Sequence, residues 1–182
     1  MPRPGPAPLA SLKTLFGTKR GTMLPLPPNL ARLYGCLRMP LPRSRPHVFS
    51  NFVSTLDGVV SLNAKGHASG ADFSGSSAQD RMVMGLLRAI LDEVCRVSPG
   101  KLILVEGGPR LLGDFYAERL IDEQFLTLAP QIAGRDAGDR RLSLVMGKAF
   151  APRDALWGTL IDVRRGSSHL FLRYSFAEFG GA

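Results

Sequence analysis

Lys101-Leu-Ile-Leu-Val-Glu-Gly-Gly-Pro-Arg-Leu-Leu-Gly-Asp-Phe-Tyr116, continued after a helical stretch by Ile121-Asp-Glu-Gln-Phe-Leu-Thr-Leu-Ala-Pro-Gln-Ile-Ala-Gly134, decides the fold. A short apolar strand ends in Glu106, two glycines make the turn, and Pro109 stands where the first position of a helix accepts proline. Leu111, Leu112, Phe115 and Leu120 give that helix an apolar side, and a second apolar strand follows. Such a strand–helix–strand unit belongs to an α/β domain. Gly107 and Gly108, lacking side chains, let an anionic group approach the backbone, and the amides and dipole of the following helix favour phosphate there. Simple close packing is the competing reason for a Gly-Gly pair. Glu106, at the carboxyl end of a strand, tilts the reading towards a nucleotide-cofactor enzyme.

Outward from this corner, Trp157–Arg164 and His169–Phe176 read as two strands joined through Arg165-Gly-Ser-Ser. Leu170, Leu172, Tyr174 and Phe176 alternate with Phe171, Arg173 and Ser175, as in a hairpin with one buried face. Upstream, His47-Val-Phe-Ser-Asn-Phe-Val-Ser-Thr55 is apolar on both faces, as a central strand of a covered sheet is. It ends at the Asp57-Gly58 turn. Ser54, Thr55 and Asp57 therefore reach the carboxyl end of a strand, where open α/β sheets bind ligands. Residues 61–79 form a long small-residue loop. Asp80 caps a helix whose Val83, Leu87, Ile90 and Val94 make one stripe.

The chain has 182 residues, 45% hydrophobic and 21% charged, the profile of one soluble globular domain. No apolar run reaches the roughly 18 residues of a membrane span, and a cytoplasmic location is the default. The two cysteines, Cys36 and Cys95, make neither a disulfide framework nor a metal spacing, and His67 has no companion ligand. No metal is expected. The net charge of +8 comes from residues 1–45, which hold eight basic residues and no acid, while the remainder has fifteen of each. These cations sit among prolines, so residues 1–44 read as a basic, Pro-rich, solvated arm, with a short helix around Asn29–Leu37 that docks on the body. A nucleic-acid partner is not expected, and residues 45–182 form the domain.

Four segments carry a resemblance to a known family. Arg45–Gly58, Asp80–Arg88, Leu104-Val-Glu-Gly-Gly-Pro109 and Ile121–Gly134 resemble, in order, motifs of the riboflavin-biosynthesis pyrimidine reductases. These share the dihydrofolate reductase fold, and the likeness extends over residues 45–177. It implies a three-layer α/β/α sandwich with a mixed sheet, NADPH as cofactor, and hydride transfer to the ribosyl group of a pyrimidine nucleotide-like substrate. It would place Gly107, Gly108, Pro109, Arg110, Leu111, Leu112 and Gly113 at the cofactor's phosphates. Glu106 would contact the substrate and act in catalysis with Asp57, and Ser54 and Thr55 would line the same wall. Family members are often dimers, so a homodimer is the expected assembly. The family's central strands, with a Gly-x-Gly-Thr motif, have no counterpart here, for Leu87-Arg-Ala89 runs straight into Ile90-Leu-Asp-Glu-Val. The shortened chain therefore reads as an NADPH-dependent reductase or as a non-catalytic remnant that binds no cofactor.

Overall fold

A computed structural model of the chain describes residues 9–39, 46–64, 72, 77–79, 82–83, 102–138 and 141–176. Its strands are β1 (Lys13–Gly17), β2 (Thr22–Met23), β3 (Arg38–Met39), β4 (His47–Ser54), β5 (Leu102–Val105), β6 (Glu123–Leu128), β7 (Thr159–Gly166) and β8 (His169–Ser175). Helix α1 spans Pro28–Tyr34 and helix α2 spans Pro109–Ala117. Six strands form one sheet in the order β1-β7-β8-β6-β4-β5, and β2 and β3 form a separate pair.

The run of apolar residues on both faces of His47–Ser54 has its physical counterpart in a strand with neighbours on both sides. β4 pairs in parallel with β5 and with β6. The remaining pairings, β6–β8, β7–β8 and β1–β7, are antiparallel. The sheet is thus mixed. Nothing separates β4 from β5: His47–Ser50 lie directly against Leu102–Val105, and the four-residue β5 is the terminal strand. Among the described residues no strand stands between β4 and β5, where the resemblance implies further central strands.

Both faces are covered, giving the expected three layers. On one face Leu112 of α2 is fully buried with Val48, Val105, Tyr116 and Ile121, flanked by Phe52, Phe115, Val145 and Phe176. The Tyr116 hydroxyl donates to Gln124 Oε1 at 3.0 Å, and Ser50 Oγ donates to the same oxygen at 2.5 Å. One polar link thereby ties the helix to two strands, and burial pushes the Tyr116 phenol well above its ordinary pKa.

The other face corrects the view of the N-terminal segment as a solvated arm for its described residues, 9–39. Leu12, Leu24, Leu33, Tyr34, Leu37 and Met39 are buried in one cluster with Phe49, Leu102, Phe125 and Phe171. β1 extends the sheet beside β7, Leu12 N–H donates to Leu33 O at 2.8 Å, and Leu24 N–H donates to Leu37 O at 3.0 Å. The short docked helix is α1. Its prolines punctuate rather than unfold, since Pro28 starts the helix and Pro27 caps it. Arg164 locks the segment down. Its guanidinium donates to Tyr34 O, to Cys36 O at 2.7 Å and to Asp162 at 2.8 Å, and lies 3.9 Å from the Tyr34 ring centroid.

The hairpin strand β8 has one buried face, as its alternation implies: Phe171 and Arg173 are buried under the N-terminal segment, while Leu170, Leu172 and Tyr174 are half-buried. Arg173 pairs with Glu123 at 2.5 Å, and both are buried. His47, 2% exposed, stands 3.5 Å from Glu123 and 3.7 Å from Asp122. Most of the loop 61–79 and of the helix beginning at Asp80, including the Ala89–Ile90 join, lies outside the described residues, although Met82 and Val83 are helical and buried.

Candidate functional site

Parallel strands share a carboxyl edge, and β4, β5 and β6 bring three connections to it: the 55–58 turn, the 106–108 corner and the 129–134 loop. Their heights differ. Val105 lies opposite Ser50, whereas Leu128 lies opposite Ser54. At about 3.3 Å per residue β5 ends about 13 Å lower along β4 than β6 does, and the 106–108 corner follows from that lower end. Glu106 and Asp57 are therefore presented at separate levels of one edge.

At the lower level, β5 delivers Glu106 exposed to solvent, then Gly107 and Gly108 lead into α2. Gly108 caps the helix with no side-chain hydrogen bond and Pro109 follows at the first position. The first helical bond is Leu112 N–H to Gly108 O at 3.1 Å. Gly108 has φ −66° and ψ 166°, a conformation open to any residue, and a Cβ there would meet nothing within 4 Å. Neither backbone strain nor packing explains its missing side chain. Gly107 differs: a Cβ would fall 2.4 Å from the end of the Leu111 side chain, itself 47% exposed and able to move.

The rest of the expected cofactor stretch divides by packing. Arg110 and Leu111 are exposed and Pro109 is half-buried. The Leu112 side chain is fully buried in the core beneath α2. Gly113 is buried against the 145–148 segment, where a Cβ would lie 2.9 Å from Met146 O and 3.3 Å from Val145 Cγ1. Met146 N–H donates to Pro109 O at 3.1 Å, holding that segment along the helix. Close helix packing accounts for Gly113, and the face open to a ligand is Glu106–Leu111.

At the upper level Asp57 is an acceptor on both oxygens. Thr55 Oγ1 donates to Oδ1 at 2.6 Å, Ala133 N–H to Oδ1 at 3.2 Å, and Gly134 N–H to Oδ2 at 2.8 Å. The Thr55 hydroxyl bond, aided by the two backbone amides and opposed by partial desolvation, lowers the Asp57 pKa to about 2. Arg135 donates to Asp57 O at 3.0 Å, and Arg141 donates to Ala133 O and to Gly134 O at 2.6 Å. Leu56 N–H donates to Gln131 O at 2.9 Å. The turn after β4 is thereby clipped to the loop after β6. Thr55 is buried and also accepts from Val59 N–H at 2.9 Å, and Ser54, buried too, donates to Thr55 O at 3.0 Å. Sequence reasoning did not find Ala133, Gly134, Arg135 and Arg141 as Asp57's partners. The visible signal was Gly134, whose φ of 67° closes the loop after β6.

Among the described residues no group of His, Cys, Asp and Glu could hold a metal, and no helix is long and apolar enough to cross a membrane. A cavity between α1 and the sheet, lined by Tyr34, Phe125, Phe171 and Arg173, measures about 10 Å³. It has room for about one water and none for a dinucleotide.

The arrangement defines an α/β domain whose best-exposed chemistry lies at the carboxyl edge of its parallel strands. Residues 87–149 match the family described as the RibD C-terminal domain. The resemblance to riboflavin-biosynthesis pyrimidine reductases thus has a family match beneath it, and the match includes the whole of Glu106–Gly113. It leaves out Ser54, Thr55 and Asp57. Among solved structures, RibD of Acinetobacter baumannii is 14% identical, with 72% of this chain and 58% of that one covered and a TM-score of 0.47. The deaminase/5-amino-6-(5-phosphoribosylamino)uracil reductase of Thermotoga maritima is 11% identical, with 72% and 56% covered and a TM-score of 0.46. The yeast riboflavin biosynthesis reductase Rib7 is 10% identical, with 72% and 88% covered and a TM-score of 0.39. The chain spans less than two thirds of the length of the Acinetobacter and Thermotoga proteins. No curated protein sequence matches it.

Proposed function

We propose that the chain is a nicotinamide-dependent reductase of the riboflavin-pathway type, binding the phosphates of NADPH at the Glu106–Leu111 corner. The observation that carries this reading is Gly108. It is a glycine required neither by its backbone angles nor by its neighbours, it stands at a helix N-terminus whose cap makes no side-chain hydrogen bond, and it lies inside the family match. Gly107 and Gly108 would admit the phosphate to the amides of Arg110 and Leu111, and the Arg110 side chain would add positive charge. Leu112 and Gly113 hold α2 in place instead of touching the cofactor.

When bound, the nicotinamide supplies a hydride for a sugar carbonyl-level carbon, and the protein's part is to orient and to manage protons. Glu106, exposed beside the corner, is the carboxylate that would meet a pyrimidine nucleotide-like substrate. Asp57, ionised at neutral pH and saturated with donors, acts as a positioning residue: it fixes the 129–134 loop over the edge and carries no proton to give. Ser54 and Thr55 support it from within. The second reading is a remnant that keeps the corner and binds no cofactor; it is favoured by the direct pairing of β4 with β5, with no strand between them.

Titration of the purified chain with NADPH, followed by nicotinamide fluorescence, separates the two. Saturable binding that Gly108→Asp abolishes supports the reductase reading. The new carboxylate would occupy the phosphate's place, and the open surroundings of Gly108 let the variant fold. Absence of binding at millimolar NADPH establishes the remnant.

A further inference from the structure

The outer edge of the sheet opposite to the candidate site has a character that the reductase reading does not use. β1 ends the strand order, and all five of its residues are exposed. Leu15 and Phe16 are 49% and 46% exposed, and Met23 just beyond is 54% exposed. Lys13 stands directly across from Arg165 of β7, and both are exposed. Like charges opposite each other on an antiparallel pair repel. Lys19 and Arg20 add two more exposed cations, and residues 1–45 contain no Asp or Glu. The nearest acid on β7, Asp162, is already taken by Arg164. Among the described residues, no carboxylate pairs with Lys13, Lys19, Arg20 or Arg165.

We infer that the β1 edge is a docking surface for an extended acidic segment of another protein, which adds a strand to β1 and sets its carboxylates against Lys13, Arg165, Lys19 and Arg20. An edge strand presents unpaired N–H and C=O groups, a ready template for a further strand. Edge lysines repel a basic newcomer and would have to be desolvated by a neutral one. The same lysines admit an acidic one, and its carboxylates relieve the Lys13–Arg165 repulsion that the isolated chain carries. The bulge between Thr14 and Phe16 puts Phe16 on the same face as Lys13, so the incoming carboxylates would flank it while the alternate apolar side chains lie on the Thr14 face. A second copy of this chain is a poor occupant, because β1 against β1 brings together two strands without a single acid between them.

The test uses the full chain and a labelled, capped peptide of about ten residues alternating Glu and Val, read by fluorescence anisotropy at low and at raised salt. Strand addition predicts saturable binding that weakens at least about tenfold in Lys13→Glu/Arg165→Glu. Lys19→Glu/Arg20→Glu, which changes only the segment beyond β1, should weaken binding in the same direction while the thermal midpoint stays unchanged. The peptide N-methylated at alternate residues should bind at least about tenfold more weakly, because it cannot complete the ladder. Equal binding of the methylated peptide, absence of binding, or a mass that rises to a dimer with concentration would each overturn the inference. So would tighter capture of an oligothymidylate or of vesicles rich in anionic lipid.

Discussion

Asp57 and the glycines of the corner show what single side chains decide. With its folded pKa at about 2, against an ordinary value of about 3.9, Asp57 stabilises the fold fully only when ionised in both states, above about pH 4. The contribution is lost as pH falls from about 4 to about 2. In thermal melts across this range, Asp57→Asn should be less stable than the parent at neutral pH and converge on it near pH 2. A constant gap at all pH values would mean that the carboxylate charge is irrelevant to the clip. The glycines should separate equally cleanly. Gly113→Ala forces a Cβ to within 2.9 Å of Met146 O and should cost about 1–3 kcal/mol in urea unfolding. Gly108→Ala, at an ordinary φ in open space, should move stability by no more than about 1 kcal/mol, because the smaller entropy of the unfolded chain is offset by alanine's poor standing at a helix N-cap. Sequence alone could place both glycines on the turn and helix but could not tell them apart, because the difference is made by residues 145–148, more than thirty positions downstream.

At the level of elements, local pattern carried far. The apolar run of β4 and the Gly-Gly-Pro start of α2 were legible because each is specified by its own residues and near neighbours. β8 was legible as a strand with one buried face, but not which face, since Phe171 and Arg173 owe their burial to the N-terminal segment that packs over them. The β6–β8 pair contains the molecule's most demanding contact, the buried Glu123–Arg173 ion pair, with Arg173 also 4.9 Å from the Phe125 ring centroid. Removing one partner strands the other charge. Arg173→Met should cost about 3–5 kcal/mol by denaturant unfolding. Adding Glu123→Leu to it should restore much of the loss, because two apolar side chains replace a pair that was expensive to desolvate. A double variant no better than Arg173→Met would instead assign the whole cost to lost packing around Phe125.

For the molecule as a whole, the direct β4–β5 pairing and the packed N-terminus belong to one argument. Closing β4 onto β5 leaves a sheet whose face beneath Phe49, Phe125 and Phe171 needs a cover, and residues 9–39 provide it. Proline and arginine content hid this role. Pro27 and Pro28 sit at the start of α1, and burial falls on leucines spaced too irregularly to show helix or strand periodicity over residues 9–39. Six buried side chains come from it: Leu12, Leu24, Leu33, Tyr34, Leu37 and Met39. At about 1.5–3 kcal/mol for each buried large apolar side chain, their loss equals or exceeds the about 5–15 kcal/mol that holds a domain folded. Deletion would also strip Arg164 of the Tyr34 and Cys36 carbonyls it binds. A chain lacking residues 1–39 should therefore show no cooperative thermal transition and should bind a hydrophobic dye such as anilinonaphthalene sulfonate at room temperature. An independent arm would detach without shifting the midpoint at all. Leu33→Ala tests the same claim without truncation, since a buried leucine under the sheet should cost about 2–5 kcal/mol and one on a solvated tail nothing.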